Sequence, residues 1–140
     1  MAVRQISEMV RDKRPITVFE ETLVRDVCQR MCDQRVGAVL VTDEKHRLVG
    51  VFTGRDAVTR VLANGLDPNS TPVRNVMSPD PVTLSSGKSA IEALRVMRDG
   101  GFRHLPVVDG VRIVSLISRG DFRGIEQARL DEETGLWERI

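Results

Sequence analysis

The chain has 140 residues, 41% of them hydrophobic, 29% charged and 4% aromatic, the balance of one compact soluble domain and not of a disordered segment. Its 21 basic and 20 acidic side chains leave a formal net charge of +1, so no global field grips nucleic acid or an anionic membrane, and any anion site has to be local. No apolar run reaches the roughly 18 residues that cross a bilayer, and Met1-Ala2-Val3-Arg4 lacks the apolar stretch of a secretory signal, which places the expected location in the cytoplasm.

A short β segment, Ile16 to Val18, leads into a helical stretch in which Leu23, Val24, Val27, Cys28, Met31 and Cys32 fall on one apolar face. The two cysteines are one helical turn apart, a placement unsuited to a strain-free disulfide, and His46 and His104 are distant in sequence. The pair reads as buried reduced thiols, and the chain offers too few ligands for a zinc site. Two strands follow, Ala38 to Thr42 and Leu48 to Thr53, joined as an antiparallel hairpin by the polar turn Asp43-Glu44-Lys45-His46-Arg47. A second helix starts at Gly54-Arg55-Asp56, and Asn64 to Pro72, rich in Gly, Pro, Asn and Ser, reads as a surface linker.

Beyond the linker the same order returns. Val82 to Leu84 is the β segment, and Ala90, Ile91, Ala93, Leu94 and Met97 are the apolar face of the helix. Ser89 with Glu92 three residues later is a capping-box signal, Ser86 being the cap of a slightly longer alternative, and Gly100-Gly101 is the stop. Strands Leu105 to Val108 and Val111 to Ser118 meet at Asp109-Gly110, and a helix starts at Arg119-Gly120-Asp121. Pro15-Ile16-Thr17-Val18 matches Pro81-Val82-Thr83-Leu84 at an offset of 66, as do Met31 and Met97, Asp33 and Asp99, Val41 and Val107, and Asp43 and Asp109. Val49, Thr53 and Asp56 match Val114, Ser118 and Asp121 at 65, and Val3-Arg4-Gln5-Ile6 echoes Val73-Arg74-Asn75-Val76. The expected fold is therefore α/β (α+β): two tandem β-α-β-β-α repeats, residues 1–63 and 73–125, around a linker at 64–72 and before a helical tail at 126–140. Half-domains of about 60 residues are marginal alone, so the copies are expected to pack as one pseudo-twofold module, sheet to sheet, with clefts between them.

In each copy a hydroxyl ends a strand and a carboxylate follows three residues later: Thr53 with Asp56, and Ser118 with Asp121. Two readings are open to these residues. They are N-caps with first-turn acids that suit the helix dipole, or they present a donor and an acceptor to a phosphate and a ribose beside unsatisfied backbone N–H groups.

Gly50-Val51-Phe52-Thr53-Gly54-Arg55-Asp56 resembles the G-h-x-[ST]-x-x-[DN] signature of cystathionine-β-synthase (CBS) domains, and Phe102-Arg103-His104-Leu105-Pro106-Val107-Val108-Asp109 is similar to the strand that they write R-h-x-P-V-V-D. The resemblance runs from Val3 to about Ile125 in two tandem copies. It implies a CBS pair, or Bateman module: a regulatory unit without catalysis that often binds an adenosine derivative between its repeats and commonly dimerises. On that resemblance, Thr53 would meet a phosphate and Asp56 the ribose hydroxyls, together with Arg103, His104 and the Pro81-Val82-Thr83 backbone at the adenine edge. Ser118 and Asp121 would form the opposite cleft with Gly37 and Ala38, which carry no charge where the other has Arg103 and His104. One or two charge-assisted hydrogen bonds fewer, at about 1.5–3 kcal/mol each, make the Asp121 cleft the weaker one for a phosphorylated ligand unless Lys13, Arg14, Arg55 or Arg119 compensates.

Gly87-Lys88-Ser89 lacks the upstream glycine of a P-loop, the position holding Val82, and reads as a turn and cap. No Ser/His/Asp nucleophile set is legible, and Glu20-Glu21 and Glu132-Glu133 read as solvated charges. Phe122, Ile125 and Ala128 share one helical face, and the tail with Leu136, Trp137 and Ile140 is expected to fold on the core or cover a partner subunit. The expected function is a non-catalytic sensor of AMP, ADP or ATP, a homodimer that acts through an effector protein, with neither nucleic acid nor membrane as partner. The alternative is an adaptor that dimerises and binds a partner protein with its clefts unliganded.

Overall fold

Apolar residues at helical spacing and β-branched runs bounded by polar turns set the element order. In the computed structural model, residues 4–124, 126, 127 and 130 are described. The elements are α1 (Ile6–Met9), β1 (Thr17–Phe19), α2 (Val24–Gln34), β2 (Ala38–Thr42), β3 (Leu48–Thr53), α3 (Gly54–Asp56) running on as a π-helical segment (Ala57–Leu62), a 3-10 turn (Val73–Asn75), β4 (Ser78–Pro79), α4 (Ala90–Gly100), β5 (His104–Asp109), β6 (Arg112–Ser118) and a 3-10 turn (Arg119–Asp121). The mixed α+β class is as expected, and β2 and β3 span the residues read from the sequence.

The chain divides into two compact units that do not follow the sequence order. One holds 15–82 and 111–113. Its sheet has the order β1-β2-β3-β4, with β1 parallel to β2 and the other pairs antiparallel. Val24, Val27 and Met31 of α2 pack there on Val39, Val41 and Phe52. The other holds the described parts of 1–14, 83–110 and 114–140. In it Ala90, Leu94 and Met97 of α4 pack with Ile6, Leu105, Val107, Ile117 and Phe122. The segment before each copy thus packs with the other copy. The Ile6 N–H donates to the Lys88 carbonyl (2.9 Å) and the Ala90 N–H to Arg4 (2.8 Å), as the Val73 N–H donates to Thr22 (2.8 Å) and Val24 to Thr71 (2.9 Å). These matched bonds make Ile6 the counterpart of Val73, three residues away from the Val3–Val73 alignment, because both are wholly buried and anchor the lead-in.

Three other expectations change. The second β segment, Val82 to Leu84, is reduced to a single parallel bridge from Leu84 to Val107, and Val82 is exposed. The helix expected at Arg119 opens as one 3-10 turn and is interrupted at Phe122, which is extended (φ −87°, ψ 142°) to seat its ring in the core, before helical residues return at Gly124. Cys28 is half-buried and Cys32 exposed, both as free thiols. At about 100° of turn per residue, Val24, Val27 and Met31 cluster within one narrow stripe and each further step of four drifts about 40° off it, which carries Cys32 out to solvent. The expectations for Ile125, Ala128, Glu132, Glu133 and the Leu136-Trp137 tail lie outside the described residues. Among the described residues no helix is long and apolar enough to cross a membrane.

Candidate functional site

The first motif is built where β3 runs into α3. Thr53 is extended (φ −122°, ψ 164°), so its side chain turns back over the first helical turn. Its Oγ1 accepts from the Asp56 N–H (3.1 Å) while its own N–H donates to Asp56 Oδ2 (3.0 Å), a reciprocal capping box. The Asp56 side chain is buried, with Oδ1 3.5 Å from Nε of Arg60, one turn along the helix. Arg60 also donates from Nη1 to the Met77 carbonyl (2.9 Å), which holds its guanidinium beside the sheet. The Gly54 N–H donates to the Gly37 carbonyl (3.0 Å), tying the start of β2 to the motif.

The second motif has the same frame. The Arg119 N–H donates to the Arg103 carbonyl (3.2 Å), the counterpart of the Gly54–Gly37 bond, and the Ser118 N–H donates to Asp121 Oδ2 (2.7 Å). The Ser118 hydroxyl donates to the same oxygen (3.3 Å), and so does Nζ of Lys13. Burial pushes the Asp121 carboxyl upward, yet the Lys13 hydrogen bond and the Ser118 N–H outweigh it and hold the group below the usual carboxylate range. Lys13 is fixed at its main chain, where the wholly buried Ser115 donates its hydroxyl to the Lys13 carbonyl (3.0 Å). Beside it, Arg4 bonds Glu126 through both Nε (3.1 Å) and Nη2 (2.6 Å) and donates to the Asp121 carbonyl (3.0 Å). Glu126 also accepts from the Arg123 N–H (2.8 Å), and its carboxyl too lies below its ordinary value: burial raises it, but Arg4 and that N–H prevail.

Of the residues singled out in the sequence, Thr53, Arg55, Asp56, Pro81 and Val82 belong to the first unit; Thr83, Arg103, His104, Ser118 and Asp121 belong to the second. Arg55, Val82, Thr83 and Arg103 are exposed, and His104 is half-buried as the first residue of β5. Both hydroxyl–carboxylate pairs form, in each case as a cap. Ser89 caps α4 by accepting from the Glu92 N–H (3.1 Å). Arg60 joins the first motif and the Arg4–Glu126 pair the second, both from outside the residues singled out in the sequence. The i,i+4 spacing from Asp56 was the available signal for Arg60, whereas Arg4 and Glu126 are 122 residues apart and nothing local connects them.

A hollow of about 450 Å³ lies at the opposite end of β2 and β3, lined by Thr17, Phe19, Thr42, Asp43, Glu44 and His46 among others. It contains none of the expected site residues. Its Asp43 carboxylate accepts from the N–H groups of Lys45 and Arg47 (2.9 Å each) and from Arg47 Nε (2.9 Å); the Arg47 backbone bond is the main cause of its lowered pKa. Among the described residues no cluster of three His, Cys, Asp or Glu side chains could hold a metal ion.

The repeated frame has counterparts among known proteins. The family model of the CBS domain matches residues 3–63 and again 73–126. The CBS domain-containing protein CBSCBSPB2 of Arabidopsis thaliana is 44% identical over 108 residues, 77% of this chain, and the chain spans about a fifth of that protein's length. A CBS domain protein from Pyrobaculum aerophilum, solved in complex with AMP, superposes with a TM-score of 0.81 at 26% identity, covering 91% of this chain and 98% of that one. A CBS-domain containing protein from Agrobacterium tumefaciens gives a TM-score of 0.78 at 26% identity, over 91% and 94%. Two matches of one family model, set on two copies of one hydrogen-bonded frame, make this chain a member of the CBS domain family and a tandem CBS pair.

Proposed function

We propose that this chain is a regulatory module without catalysis that binds an adenosine-containing ligand, AMP, ADP or ATP, with the Thr53–Asp56 motif as its stronger determinant. The observation that carries the reading is the Thr53–Asp56 frame itself, in a chain whose fold matches that of a protein solved with AMP. The Asp56 carboxylate is fixed by the Thr53 N–H at Oδ2, while Arg60, its only close cation among the described residues, stands at 3.5 Å from Oδ1. Oδ1 therefore keeps acceptor capacity for vicinal ribose hydroxyls. Arg103 and His104 supply the cationic and donor groups for a phosphate; Pro81, Val82 and Thr83 contribute main-chain atoms to the adenine; Arg55 is a further cation. Ser118 and Asp121 form the second, weaker determinant.

A homodimer in the cytoplasm acting through an effector protein completes the proposal. Val58 and Leu62, one turn apart and 58% and 67% exposed, are apolar surface of the kind a second copy or a partner covers. That same surface supports the second reading, an adaptor whose clefts stay unliganded. Thermal melting with AMP, ADP, ATP, NAD and S-adenosylmethionine separates the two. A ligand at a hundred times its dissociation constant adds about 2.7 kcal/mol, whereas an adaptor melts at one temperature throughout.

A further inference from the structure

Asp121 differs from Asp56 in how its charge is met. Its Oδ2 takes three donors, the Ser118 N–H, the Ser118 hydroxyl and the Lys13 ammonium. A carboxylate has about four lone-pair sites on its two oxygens, so roughly two serve each oxygen and one of these donors is surplus. The Ser118 N–H is fixed by the backbone. Lys13 is the donor that can leave: its ammonium ends a flexible four-carbon stem, and the pair is open to water, with 38% and 27% of the two side chains exposed. An ion pair so exposed is worth little in itself. The base of the stem stays in place whatever the ammonium does, because Ser115 holds the Lys13 carbonyl.

We propose that Lys13 is the specificity residue of the second motif, an exchangeable counter-ion that leaves Asp121 for the phosphate of an incoming nucleotide. This rests on the nucleotide reading given above. A phosphate offers the ammonium a charge-assisted bond at least as strong as the one it leaves, while Asp121 Oδ1, which takes none of the three donors, accepts from the ribose. A nucleoside without phosphate brings no such acceptor and gains only the Asp121 contact, with Lys13 left on Oδ2. The second motif therefore selects phosphorylated nucleosides over bare ones although Gly37 and Ala38 stand where the other copy has Arg103 and His104. The counterpart lead-in, around Pro79 and Asp80, supplies no cation to the first motif.

The test is calorimetric titration of AMP and of adenosine into the full chain, into Asp56→Ala to silence the first motif, and into Asp56→Ala with Lys13→Met or Lys13→Arg. In the Asp56→Ala background, Lys13→Met should weaken AMP about ten- to a hundred-fold and leave adenosine unchanged or tighter, while Lys13→Arg keeps AMP within a few-fold. Unchanged circular dichroism and melting of the variants establishes that they fold. Equal effects of Lys13→Met on AMP and adenosine, or no effect on AMP, overturn the Lys13 role and leave the nucleotide reading standing. Binding of AMP to the full chain that vanishes in Asp56→Ala overturns it too, since the second motif is then not a site. Failure of the full chain to bind either compound overturns the nucleotide reading itself, and the Lys13 role with it.

Discussion

Asp56 and Asp121 occupy equivalent places in two copies of one sequence pattern, yet each takes its counter-ion from a different part of the chain. Asp56 is faced by Arg60, four residues on in the same helix. At that position the second copy has Ile125, and Asp121 is faced instead by Lys13, 108 residues away. The lead-in segment of the first copy thus does in the second unit what a helix residue does in the first. Arg4 extends the same exchange by neutralising Glu126. Duplication preserved the backbone frame and left the charge balance of each unit to be solved separately.

The largest expected effect comes from breaking that remote network. Arg4→Ala strands Glu126, 7% exposed at its side chain, and should cost about 2–4 kcal/mol in denaturant unfolding. Arg74→Ala, which opens the more exposed pair with Glu21, should cost less than about 1 kcal/mol. Because the folded pKa values of Glu126 and Asp121 lie below their ordinary ones, their stabilisation is complete above about pH 4.5 and is lost as pH falls through the lowered folded values. Acid titration of Arg4→Ala should show a smaller loss of stability over that window than the parent chain; equal losses would remove Arg4 from the account.

A second contrast lies in the strands. Gly50 of β3 corresponds to Ser115 of β6. A Cβ at Gly50 would run into the side chain of Met77, whereas Ser115 has room for its side chain and bonds Lys13. Gly50→Ala should destabilise by about 1–3 kcal/mol, and Met77→Ala in the same chain should recover part of it. The helix ends offer a smaller one. α2 closes on Arg35 (φ 55°) and α4 on Gly101 (φ 70°), each donating to the carbonyls of the last turn. Since the left-handed conformation costs a side-chain-bearing residue about 1 kcal/mol, Arg35→Gly should stabilise by about 0.5–1 kcal/mol and Gly101→Ala should destabilise by a similar amount. Thermal melting that moved both in one direction would contradict the shared geometry.

Periodicity and turn chemistry made β2, β3, the Ser89 cap and the Gly101 stop legible in the letters, because each depends on neighbours within a few residues. The repeat made the paired hydroxyl–carboxylate frames legible as well. What escaped was tertiary. Val82 to Leu84 has the composition of a strand but finds one bridge only, to Val107. Cys32 looked apolar by spacing, while the burial stripe is narrower than the run of apolar letters. The exchange of lead-in segments, and with it the Arg4–Glu126 and Lys13–Asp121 pairs, depends on contacts more than a hundred residues apart that no local pattern encodes.

The most direct measurement is calorimetric titration of AMP into the parent chain, Asp56→Ala and Asp121→Ala, each checked for folding by circular dichroism. Saturable binding to the parent chain, weakened at least ten-fold by Asp56→Ala and less by Asp121→Ala, is the result expected of a nucleotide-sensing CBS pair whose first motif dominates. No heat of binding in the parent chain, or equal affinity in all three proteins, would contradict it.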